Sequence, residues 1–60
     1  MPYRIEFFRD DRKTGDIPCN KPLLHARVHA VDLMSHFRAD HAWIIDEAGV
    51  PIERLTRNAS

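Results

Sequence analysis

Four side chains on one stretch, His25, His29, Asp32 and His36, have the types and spacing for metal chemistry. On a helix turning about 100° per residue, all four project from one face, each within a turn of the next. Neutral imidazole and carboxylate are good ligands for zinc, copper or nickel, and a pair four residues apart on a helix chelates one ion. A straight helix cannot wrap all four tetrahedrally around one metal. A native site would therefore need a ligand from elsewhere in the chain, with His41 and Cys19 as the candidates. The sequence continues His25-Ala26, so it lacks the general base of a His-Glu-x-x-His helix. Any amphipathic helix must also cover its outer face with polar residues, and a histidine near its C-terminus suits the helix dipole. The primary expectation is a solvated face and no cofactor. Binding of zinc or another divalent transition metal by His25, His29, Asp32 and His36 is the alternative.

Other constellations are thinner. Cys19 and His25 lie six residues apart, but no third group to orient the base and no oxyanion donor set accompanies them. Asp46 and Glu47 sit with Ala48 and Gly49 in a turn-forming sequence, and Asp10 and Asp11 lie beside basic residues. No carboxylate pair has a spacing suited to acid–base work. A non-enzymatic protein is expected.

Charge and length set further bounds. Nine basic and nine acidic residues are interspersed over 60 positions, for a formal charge of zero. Phosphate-backbone binding relies on clustered Lys and Arg, so this balance argues against a nucleic-acid partner. Were there one, Arg4, Arg9, Arg12 and Lys13 would carry it, provided they gathered on one face. One cysteine cannot form an intrachain disulfide and fits a reducing compartment. Apolar runs are too short to span a bilayer, and the first residues do not read as a signal peptide. A cytoplasmic protein without a membrane role is expected.

The elements that must hold these residues follow from periodicity. Tyr3, Ile5 and Phe7 alternate with Arg4 and Glu6, as in a half-buried strand. Lys13-Thr14-Gly15-Asp16 reads as a turn with Gly15 left-handed, followed by a short edge strand over Asp16 to Cys19. Asn20-Lys21-Pro22 reads as a capped start for an amphipathic helix running to about Arg38. Leu23, Ala26, Ala30, Leu33, Met34 and Phe37 form its apolar band, and Leu24, Val28 and Val31 form an adjoining one. Asp40 to Asp46 and Val50 to Leu55 read as a hairpin turning at Gly49, with a polar frayed tail over 56–60. The expected fold is α+β. One helix packs on a three- to four-stranded, mainly antiparallel sheet in the order β-(β)-α-β-β, as a single domain over residues 1–55.

Such a chain is short of core. A 60-residue domain buries only about 60% of the surface its unfolded chain exposes. Trp43 and Ile45 point to one side of their strand, and Ala42 and Ile44 to the other. One pair must face away from the helix, where Phe8 would join it. Phe8, Trp43, Ile44 and Ile45 are therefore the candidate interface residues. The apolar arc of the helix is also wider than a small sheet needs. Surplus apolar surface of this kind points to a homodimer or a protein partner.

Overall fold

The computed structural model describes residues 3–56. They form strands β1 (Tyr3–Arg9) and β2 (Arg12–Cys19), helix α1 (Leu23–Met34), and strands β3 (His41–Ile45) and β4 (Pro51–Thr56). The α+β fold expected from periodicity is present. All four strands join one sheet in the order β2-β1-β3-β4, and every neighbouring pair is antiparallel. Because β1 lies between β2 and β3, the helix carries the chain from one side of β1 to the other.

The first hairpin differs most from expectation. Its turn lies at Asp10-Asp11, not at Lys13 to Asp16, and Arg9 pairs with Arg12 across it. Asp10 takes the left-handed conformation (φ 56°), which aspartate tolerates better than most residues. Gly15 lies within β2 opposite Phe7, where it serves clearance, not a turn. A Cβ there would collide with Phe37 Cδ1 and come within 2.7 Å of Cε1 and Cγ of the same ring. The strand is thus eight residues long, with a register shift around Thr14 that accounts for its irregular pattern.

The helix begins later and ends earlier than the sequence suggests. Pro22, not Asn20, stands at the N-cap with ψ 158°, and no side chain caps the helix. Its carbonyl accepts the Ala26 N–H at 2.8 Å, and a proline there gives up no needed donor. After Met34 the chain closes in a Schellman-type turn. The Ala39 N–H donates to the Met34 carbonyl (2.9 Å), the Arg38 N–H donates to Ser35 (3.1 Å), and Arg38 is left-handed (φ 55°). This turn tucks Ala39 into the core and feeds β3.

The second hairpin follows expectation. Asp46 Oδ1 accepts the N–H groups of Ala48 and Val50, each at 2.9 Å, and Gly49 takes φ 86°. Thr56, expected in the tail, ends β4, while 57–60 lie outside the described residues.

The core lies between the helix and one sheet face. Ile5, Phe7, Ala42 and Ile44 from the sheet meet Ala26, Ala30 and Met34 from the helix, with Cys19 and Ala39 at the margins. Phe37 stacks on Phe7 at 4.6 Å between ring centroids. Alanines at the helix–sheet contact bring the two layers close together. They also leave the core thin.

Candidate functional site

Helix α1 carries His25, His29 and Asp32, and His36 lies in the turn beyond its end. His25, Asp32 and His36 are exposed and His29 is half-buried. Among the described residues, no three His, Cys, Asp or Glu side chains gather where they could hold an ion. His25 and Asp32, seven residues apart, are separated by about 10 Å of helical rise, and the helix has ended before His36. Neither outside candidate completes it. Cys19 is buried on β2, and His41 sits on β3 with the opposite parity to Ala42 and Ile44, which meet the helix. The same burial separates Cys19 from the exposed His25.

Strand parity settles which side of β3 meets the helix. Ile44 is fully buried in the core, so it leaves the candidate interface. Phe8, Trp43 and Ile45 lie on the open face and are each half-buried. Phe8 stacks on the His41 ring at 5.3 Å, and Glu6 lies opposite Trp43.

Ion pairs cover much of the remaining open face. Arg4 bonds Asp16 at 2.5 Å, and Lys13 reaches Asp16 at 3.2 Å and Glu6 at 3.5 Å. The Arg4 guanidinium, with Lys13, holds the Asp16 carboxyl below its ordinary value. Asp16 in turn raises the Lys13 ammonium above its own. Two of the four side chains considered for a nucleic-acid surface, Arg4 and Lys13, are thus held by carboxylates.

A second polar group ties the hairpin to the chain leaving the helix. The Asp10 N–H donates to Asp40 Oδ2 at 2.9 Å, and Asp40 Oδ1 lies 2.5 Å from His41 Nδ1. Together these contacts, the Asp10 N–H foremost, lower the Asp40 carboxyl from its ordinary value. The Asp40 N–H donates to the Phe8 carbonyl at 2.8 Å, and Arg9 Nη1 reaches the Arg38 carbonyl at 3.4 Å.

The largest exposed apolar side chains are elsewhere, on the helix. Leu24 is 64% exposed, Val28 58% and Val31 50%, with Val50 and Ile52 also exposed near the start of β4. Spacing of i, i+4 and i+7 aligns the three helical residues in one stripe. Ala26 and Ala30 point to the core, and Arg27 Nε bonds Glu53 Oε1 at 2.8 Å. On a helical wheel the stripe therefore begins just beyond Arg27, on the β4 side, and runs onto the outer surface. Its sequence signal was the second apolar band. The candidate interface residues on β1 and β3 did not include it.

No family model matches the chain, and neither a curated protein nor a solved structure was found to match it.

Proposed function

We propose that this protein is a non-enzymatic interaction domain that associates with a second copy of itself through the Leu24–Val28–Val31 stripe. The observation carrying this reading is that these three aliphatic side chains are at least half exposed on a chain whose own core is thin. Antiparallel two-fold pairing about Val28 would set Leu24 of each copy against Val31 of the other. It would also bring His25 of each copy alongside Asp32 of the other. Both residues are exposed, and neither is in an ion pair among the described residues. Arg27, the nearest cation on the other flank, is already neutralised by Glu53.

Magnitudes place the association in a weak to moderate range. Fully burying a Val or Leu contributes about 1.5–3 kcal/mol. Scaled by the observed exposures, the six side chains of a pair contribute about 5–10 kcal/mol, against an association cost of about 4–15 kcal/mol. Only at the low end of that cost is the pair favoured, by up to about 6 kcal/mol or a dissociation constant of tens of micromolar, and Val50 and Ile52 are available to extend the surface.

Sedimentation of the wild type and of Val28→Lys tests this. Lysine at the two-fold centre opposes like charges, so the variant should stay monomeric where the wild type dimerises. Its melting temperature at low concentration should be unchanged, because Val28 lies outside the core. A wild type that is monomeric at millimolar concentration, or a variant that dimerises equally well, overturns the reading.

A further inference from the structure

We propose that the depression between the tip of the first hairpin and the end of the helix binds a single phosphate group, carried by a small molecule. Arg9, Arg12 and Arg38 line it together with Thr14 and the two turn aspartates. No salt bridge to any of these three guanidinium groups occurs among the described residues. The other cations of the sheet and helix with ion-pair partners, Arg4, Lys13 and Arg27, lie elsewhere.

Two further observations point to the same place. Thr14 Oγ1 is buried without a hydrogen-bond partner, in a protein with no other such side-chain atom among the described residues. The chain supplies this hydroxyl with no partner, and a phosphate oxygen would serve once the Thr14 side chain turns from its buried position into the depression. The two non-glycine residues with positive φ, Asp10 and Arg38, both border the depression. Backbone held in a sparsely populated conformation persists where the surroundings enforce it, and such positions cluster at ligand sites. Asp10 is held by its N–H to Asp40, and Arg38 by the backbone hydrogen bonds of the turn that ends the helix.

Guanidinium groups are planar forks matched to phosphate oxygens, so three of them around one depression suit one tetrahedral anion. Asp10 and Asp11 oppose such an anion, leaving the lining a formal excess of one positive charge. That balance favours a compact group seated among the arginines over a long polyanion. The proposal is independent of self-association, because none of the lining residues belongs to the helix stripe.

Titration of the intact protein with inorganic phosphate, at ionic strength held constant with chloride, tests the site by amide chemical shifts. Amides of Arg9 to Thr14 and of Arg38 should move saturably, with a midpoint in the millimolar range. Arg12→Gln should raise that midpoint about tenfold, the loss of one charge-assisted hydrogen bond. Thr14→Val should also weaken binding while leaving the spectrum dispersed and the melting temperature equal or higher, which separates lost affinity from lost folding. Absent or non-saturating shifts, or a midpoint unchanged in Arg12→Gln, overturn the proposal. A short single-stranded oligonucleotide that binds far more tightly than phosphate, with steep salt dependence, would overturn the single-group reading in favour of a nucleic-acid surface.

Discussion

Gly15→Ala separates two opposite physical expectations at one atom. Where a glycine has an ordinary negative φ, alanine restricts the unfolded chain and stabilises by about 0.4–1 kcal/mol. Gly15 is not among the positive-φ residues, so backbone conformation alone predicts that gain. Packing predicts the reverse. The new methyl would collide with Phe37 Cδ1 and lie within 2.7 Å of Cε1 and Cγ, a contact with the ring itself. Phe37 has little room to retreat, since it stacks on Phe7 at 4.6 Å and meets His36 edge-on at 4.9 Å. Overpacking of this kind costs about 1–3 kcal/mol, which exceeds the entropic gain. Net of the entropic gain the loss is up to about 2.6 kcal/mol, and in a domain of this size each kcal/mol moves the melting temperature by about 4–8 °C, so a fall of up to about 20 °C is expected. Thermal melts monitored by circular dichroism measure it. The same substitution on a Phe37→Leu background should cost much less, because the colliding ring is gone. A Gly15→Ala protein as stable as the wild type, or an equal loss on both backgrounds, refutes the clearance role.

The left-handed positions give smaller and differently signed effects. Gly49→Ala meets no atom within 4 Å but must adopt φ 86°, so it should cost about 1–2 kcal/mol through backbone strain alone. Arg38→Gly relieves a left-handed arginine at the helix C′ position and should raise the melting temperature, while raising the phosphate midpoint about tenfold, as Arg12→Gln does. Acid titration tests the carboxylates. Asp16, held by Arg4, and Asp40, held by the Asp10 N–H, lie below their ordinary value of 3.8 in the folded protein. Their contribution is fully present above that value and is lost as pH falls through the lower folded-state values. Asp16→Asn and Asp40→Asn should therefore each flatten the decline in stability below about pH 4, as denaturant midpoints across that range would show. An unaltered slope in both variants refutes the assignment.

Periodicity revealed most of the architecture because the main elements are strongly patterned. The alternation of Tyr3 to Phe7, the helical band from Leu23 to Met34 and the Asp46–Gly49 turn each stand where the sequence places them. The misplaced first turn shows what local sequence lacks. A glycine in a polar run reads as a turn, but Gly15 is selected by a ring 22 positions away, and no short-range signal carries that. The helix end departs from the periodicity for a related reason. Arg38 adopts a conformation usually given to glycine, so the stop signal was absent from the residue type. The interface residues on β3 depended on a choice of face that alternation cannot make. Burial of Ile44 and Ala42 makes it, leaving Trp43 and Ile45 outside.

That choice of face also bears on why apolar surface remains on the helix. Five of the nine core residues are small, namely Cys19, Ala26, Ala30, Ala39 and Ala42. Alanines at the contact let the helix approach the sheet closely, so its widest side chains cannot all fit between the layers. Leu23 and Leu33 pack at the margins, and Leu24, Val28 and Val31 are left on the outer side. Enlarging the contact would lift the helix and open the Phe7–Phe37 stack; covering the stripe from outside adds burial without disturbing it. In the proposed pair, a second copy would supply a matching aliphatic stripe and, in the antiparallel arrangement, the His25–Asp32 contacts beside it. Close packing inside and an unburied stripe outside are thus two consequences of one arrangement, and the Val28→Lys experiment bears on both.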